Sequence, residues 1–347
     1  MMSWIAARRL VVALAAGLLL AGGSARAAED AVLNVYSARH YPTDEDLYAA
    51  FEKESGITVN LIEGKGDELM TRMQNEGAAS PADIFIAVDA GNLWRVAEAG
   101  LFQPTHSAVL DQRIPEHLRD AQDRWFGFSR RFRVIAASKD RVPDGAITTY
   151  AQLADPKFKG KVCMRSSNNV YQLSIMAGLI EKIGADKAEA WARGVVANFA
   201  YPPQGADTDQ IRSIAAGECD LAMVNHYYYV RLETSDKEAD RDVASKVKLI
   251  FPDQDTDGAF VNIGGAGIAA HAPHPENAQK FLEYLSSDAA QKIFALGNDE
   301  FPVVPSASTD NPALKALGSF KESKLNVEVY GRNQADAQMV YDRAGWQ

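Results

Sequence analysis

Tyrosine is the residue whose placement carries the most chemistry in this chain. Of 12 tyrosines, five fall in three short segments. These are Ser37-Ala38-Arg39-His40-Tyr41, Arg165-Ser166-Ser167-Asn168-Asn169-Val170-Tyr171 and Asn225-His226-Tyr227-Tyr228-Tyr229-Val230-Arg231. A single tyrosine is ordinarily an apolar body with a polar tip, used for packing, and a single His40 is ordinarily a surface or hydrogen-bonded histidine. Three phenol-bearing segments that each follow a strand are a different matter. A phenol, with a pKa of about 10, gives up its proton at neutral pH only beside strong positive charge. A hard trivalent cation supplies that charge and prefers anionic oxygen. Zinc or copper would call for more histidine or thiolate, and calcium for clustered carboxylates and carbonyls. Several phenolates neutralise or overcompensate a trivalent ion, which makes Arg231 or Arg165 useful as a counter-charge. Neighbours on a helix point about 100° apart, so Tyr227 and Tyr228 must converge at a strand-to-helix turn. Asn225 is then the N-cap, and Tyr229 turns away into packing.

The elements that must position these segments alternate in type. Val32–Tyr36, Ile57–Ile62 and Asp83–Val88 read as strands, separated by helical patterns. Thr43 with Asp46 resembles a capping box opening the first helix, and Gly56 is placed to close it. Strands alternating with helices imply parallel βαβ units in an open α/β sheet. A second such pattern follows: strand Lys161–Arg165, helices from Tyr171 to Asn198, and strand Asp220–Asn225. That second pattern lies between Phe126–Ser138 and Ala259–Ala270, which read as crossings between lobes, both extended, β-rich or Gly-rich. A chain that leaves one lobe and later returns builds a cleft with a hinge beneath it. Ligands in such folds sit at the carboxyl ends of strands, where the tyrosine segments lie.

Bulk properties narrow the setting. Arg8 and Arg9, the apolar run Leu10–Ala21 and Ala25-Arg26-Ala27 read as a cleavable signal peptide over residues 1–27. Removing Arg8, Arg9 and Arg26, with no acid, takes the net charge from −10 to −13. That balance excludes a nucleic-acid partner and favours a cation. Cys163 and Cys219 are the 2 cysteines, and in an exported protein they read first as a disulfide, with two buried thiols as the alternative. Such a bridge stabilises by roughly 4 kcal/mol on the chain-entropy model.

Several motifs together resemble the periplasmic ferric-iron-binding proteins of bacterial ABC uptake systems. They are YSARHY at 36–41, SPADIFIAVDAG at 80–91, LADPKFKGKVCMRSSNNVY at 153–171, NFAYPPQGADTDQ at 198–210, GECDLAMVNHYYYVRL at 217–232 and NIGGAG at 262–267. The resemblance implies a two-lobed type II binding-protein fold, each lobe an open mixed sheet flanked by helices, joined by hinge strands. The lobes it implies are residues 28–132 with 259–305, and 133–258 with 306–347. It implies metal ligands at His40, Tyr41, Tyr171, Tyr227 and Tyr228, with Arg231 and Arg165 just behind them. Some relatives add a carboxylate from the first lobe, near Asp89 here, and a synergistic anion. The tyrosine-rich set favours an anion-free site, although Ser166, Asn168 and Asn225 could cradle an anion.

The expectation is therefore a monomeric periplasmic carrier that captures Fe3+ and passes it to an inner-membrane permease. The alternative is a binder of the same fold for an organic or anionic small molecule, its tyrosines forming a box around the ligand. An enzyme is not expected. Ser166-Ser167 has no nucleophile elbow, and neither His271 nor His274 lies in a motif that pairs it with a nucleophile. Gly64-Lys65-Gly66-Asp67-Glu68 lacks the phosphate-loop pattern and reads as a loop opening a helix.

Overall fold

The computed structural model describes residues 31–39 and 41–347. The signal-peptide reading and His40 therefore lie outside the described residues. Strands β1 (Val32–Ser37), β2 (Thr58–Glu63) and β3 (Ile84–Ala87) pair in parallel, with β1 in the middle. The helices Asp44–Ser55 and Gly66–Glu76 make the first two connections. The parallel pairing is the one the alternating pattern predicts. Gly56 closes the first helix at φ 72°, a left-handed conformation that glycine adopts without cost. The expected capping box is not formed. Thr43 sits at the N-cap, but its hydroxyl bonds to the Asn298 side chain instead of the helix.

Two long strands tie the sheet together. β4 (Phe126–Ser138) and β8 (Phe260–Ile268) run antiparallel, from Phe126 opposite Ala266 to Arg133 opposite Phe260. β8 pairs on its other edge with β3. At Arg133 the partners of β4 change: from there to Ala137 it pairs with β6 (Leu221–Asn225). β7 (Val247–Ile250) also joins that end of β4, and β5 (Val162–Cys163) lies parallel to β6. β9 (Phe301–Pro302) adds two residues beside Ser129 and Arg130. Among the described residues, nine strands form one continuous sheet that passes through β4.

Cys163 and Cys219 are disulfide-bonded, as expected, with Cα atoms 5.8 Å apart. Among the described residues, no helix is long and apolar enough to cross a membrane.

The C-terminal segment crosses between the two ends of the sheet. Tyr330 stacks on Phe260 at 4.5 Å, and its hydroxyl donates to the Val261 carbonyl. Beyond it Trp346 packs edge-on against Phe199 and Tyr341 and donates to the Arg165 carbonyl. Upstream, Phe320 packs edge-on against Phe132 of β4, and Glu322 binds Arg130, His117 and Lys324. Burial pushes the Glu322 carboxyl up, but these partners outweigh it and hold it down at about 2. A depressed carboxyl contributes stability above its unfolded value, and that contribution disappears as pH falls through the folded one. Glu322→Gln should therefore cost about 1–2 kcal/mol at pH 7, after discounting for solvent screening. Denaturant unfolding of the two proteins should converge as pH is lowered toward 2.

Candidate metal centre

Each tyrosine segment leaves a strand in the way its sequence dictates. β6 ends at Asn225, whose extended backbone (ψ 136°) turns the chain into the helix His226–Glu233. The turn brings the adjacent rings of Tyr227 and Tyr228 to 4.4 Å. Tyr229 points away, packing in the core with its hydroxyl donating to Glu233. Asn225 stands at the N-cap position, but its side chain makes no capping bond. Its amide instead donates to the Tyr227 hydroxyl at 3.3 Å. After β5, Asn169 caps the helix Val170–Ile183 by accepting from Tyr171 N–H. Tyr171 then places its hydroxyl 3.4 Å from that of Tyr227.

Tyr41 joins them from the other end of the sheet. The Arg231 guanidinium lies 5.0 Å from the Tyr41 ring, 4.8 Å from Tyr227 and 5.9 Å from Tyr228. Arg39 lies 5.0 Å from the Tyr41 ring and Arg165 lies 5.5 Å from Tyr171. Four of the five expected ligands thus meet around shared guanidiniums, and the fifth is His40. Burial, the other phenols and nearby acids raise the pKa of Tyr171, Tyr227 and Tyr228. Without a cation these three phenols stay protonated at neutral pH. Among the described residues, no cluster of three or more His, Cys, Asp or Glu side chains could hold a metal.

Acids and arginines that sequence reading missed surround the phenols. Arg131 of β4 is fully buried and 5.9 Å from the Tyr227 ring. Its Nη2 lies 2.6 Å from Glu300 Oε1, close enough for an ion pair but off the line of a hydrogen bond. All three guanidinium nitrogens and that oxygen consequently lack a hydrogen-bond partner. Burial opposes the Arg131 charge, but Glu300 and the oxygens of Tyr41, Tyr227 and Tyr171 maintain it. Arg39 pairs with both Asp44 and Glu300. Gly264 makes room for this arrangement, since a Cβ there would stand 2.5 Å from Arg39 Nη1 and 2.8 Å from Arg131 Nη2. Behind Tyr228, the buried Asp207 carboxylate accepts from Arg133, Arg165 and the Asn225 backbone. His226 is held neutral, its pKa pushed down to about 3 chiefly by burial. It accepts from Phe132 N–H and donates to the Asp299 carbonyl. One signal for Arg131 and Arg133 was available: they stand two apart in β4, hence on one face of the strand.

The remaining expected residues lie as follows. Ser166 is half-buried, and Asn168 is exposed in a polar crevice of about 220 Å³ with Lys65, Asn92, Arg95 and Gln334. Asp89 caps the helix Ala90–Glu98 and is fully buried, bonded to Gly91 N–H, Ser174 and Asn262. That burial raises its pKa to about 6. The run Asp253-Gln254-Asp255-Thr256-Asp257-Gly258 has the D-x-D-x-D-G spacing of a calcium loop. Its carboxylates are dispersed, however. Asp253 accepts from Tyr150 N–H, Asp257 pairs with Lys182, and the Lys321 ammonium binds the Thr256 carbonyl.

Residues 46–321 match the family model of bacterial extracellular solute-binding proteins. The chain is 48% identical over 322 residues to iron uptake protein A2 of Synechocystis, covering 92% of this chain and 91% of that one. It belongs to this solute-binding family, in the group that contains the iron uptake proteins. A Trichodesmium IdiA (FutA) structure holding iron and citrate superposes with a TM-score of 0.89 at 51% identity, covering 91% of this chain and 100% of that one. Apo FutA2 of Synechocystis gives 0.87 at 48%, over 91% and 99% of the two chains.

The buried charges make the tyrosine cluster fragile in a measurable way. Glu300→Gln leaves Arg39 and Arg131 facing each other with one acid fewer. Breaking a buried pair on one side is expected to cost roughly 3 kcal/mol, read as a shift in the denaturant midpoint of the unloaded protein.

Proposed function

We propose that this chain is a periplasmic carrier that closes two lobes on one ferric ion and passes it to an ABC permease. The observation that carries the reading is the convergence of Tyr41, Tyr171, Tyr227 and Tyr228 among buried guanidiniums. Phenols in such surroundings suit a hard trivalent cation. The iron in the names of the relatives, and in the Trichodesmium structure, supports the same choice. The lobes are residues 28–132 with 259–305 and 133–258 with 306–347, a division supported by the change of partners along β4 at Arg133. His40 completes the ligand set, residues 1–27 are removed on export, and the carrier acts as a monomer without bond chemistry.

Charge balance favours a site without an added anion. Arg39, Arg131, Arg133, Arg165 and Arg231 are held among Asp44, Asp207, Asp299 and Glu300. That leaves one surplus positive charge. Four phenolates on a trivalent ion leave one negative charge, so the two match. Reduction to Fe2+ would upset the match, and acid would return protons to the phenolates. Either weakens the hold, as does lobe opening driven by the permease.

Stripped protein mixed with ferric citrate should develop a visible phenolate-to-iron band that a strong chelator abolishes. Protein that stays colourless and takes up no iron would sink the proposal. Tyr227→Phe and Tyr228→Phe should each weaken binding by at least roughly tenfold. Because burial keeps the unloaded phenols protonated, loading must expel protons. Affinity should then fall as pH falls, with up to about four protons released per ion in an unbuffered titration.

A further inference from the structure

Asp89 stands at the end of β3, where sequence resemblance had offered it as a metal ligand. Its surroundings fit another role. Oδ1 accepts from Gly91 N–H at 2.7 Å and Oδ2 accepts from the Asn262 amide at 2.8 Å. Both partners lie on its own side of the cleft or on the hinge strand β8. The third partner comes from the opposite lobe: Ser174 Oγ lies 2.9 Å from Oδ1 and 3.0 Å from Oδ2. Asp89 and Ser174 are both completely buried. Ser174 follows Tyr171 by three positions on the helix Val170–Ile183, so the two side chains share a face.

That helix has little freedom to adjust by itself. A Cβ at Gly178 would stand 2.7 Å from the Phe260 ring of β8, so the helix lies close upon the hinge strand. On the other side of the seam, a Cβ at Gly91 would meet Gln334 at 3.1 Å and the Tyr330 carbonyl at 3.4 Å. Gln334 and Tyr330 belong to the 306–347 segment, so the helix that Asp89 caps is packed tightly against the opposite lobe. The Asp89–Ser174 hydrogen bond, together with that packing, sets how far Tyr171 stands from Tyr41 when the lobes meet.

We propose that Asp89 and Ser174 are a positioning pair, a closure latch that fastens the Tyr171 helix to the first lobe in the closed state. The latch rests on the ferric-carrier reading above. Neither residue touches the metal. Opening the cleft at this point breaks the Ser174 bond and leaves the Gly91 and Asn262 bonds in place. Asp89 thus remains a satisfied N-cap in both states.

Ser174→Ala removes the spanning bond and almost nothing else. Full-length, iron-loaded protein is mixed with excess chelator, and the decay of the visible band gives the dissociation rate. The variant should release iron roughly tenfold faster, as expected for the loss of one charge-assisted hydrogen bond. Its band should stay at the wild-type wavelength, because the ligands are unchanged. Its iron-free melting temperature should stay within about 1 °C of wild type, because in the latch proposal the bond forms as the cleft closes on iron. Release at the wild-type rate overturns the latch alone. Faster release accompanied by a clearly lower iron-free melting temperature also overturns it, by making Ser174 an ordinary packing residue. Wild-type protein that takes up no iron overturns the carrier reading, and the latch with it.

Discussion

The arrangement depends on keeping buried positive charge next to buried phenols. Arg131 is the extreme case: wholly inside, and hydrogen-bonded through none of its nitrogens. An isolated buried charge costs several kcal/mol, so the surrounding acids are part of the fold as much as of the site. Glu300 answers Arg131 and Arg39, and Asp207 answers Arg133 and Arg165. The phenol oxygens answer the surplus. Without a cation they do so as neutral dipoles, and with one they do so as phenolates.

The strand that carries these charges also changes its partners among them. β4 changes partners at Arg133, and Arg131 and Arg133 point from the place where it does so. In the proposed division this strand joins the two lobes, so a site built on it would feel any rotation of one against the other. His226 reinforces the link, because one ring holds the Phe132 backbone of β4, the Asp299 carbonyl and the start of the Tyr227–Tyr228 turn. Its depressed pKa keeps it neutral, which suits a residue that must accept at one nitrogen and donate at the other.

How much of this was legible in the sequence depends on the range of the interaction. The strands, the glycine stop at Gly56 and the phenols at three strand ends are local patterns, and local patterns are written in consecutive residues. Tyr229 could be set aside because helical geometry separates neighbours. The partners of Arg131 and Arg39 could not be read, since Glu300 lies far along the chain and nothing in its own neighbourhood marks it. Thr43 failed for the same reason. Its local capping motif was real, but Asn298 competes for the hydroxyl across a tertiary contact. The Asp253–Gly258 run shows the converse, a local motif whose carboxylates are claimed by Tyr150 and Lys182.

A carrier must also release its cargo, and the surroundings of the proposed site show where the opposing terms lie. Burying Asp89 raises its pKa to about 6, so at neutral pH the closed state holds a carboxylate that would be better solvated outside. The bonds from Gly91, Ser174 and Asn262 offset that cost without abolishing it. The unloaded phenols add no charge to pull the lobes together, because burial keeps them protonated. Closure without cargo therefore lacks a strong electrostatic drive, whereas closure on a trivalent ion gains phenolate bonds from both lobes at once. The cation supplies the difference between the two states, and a step that lowers its charge or restores the phenol protons removes that difference.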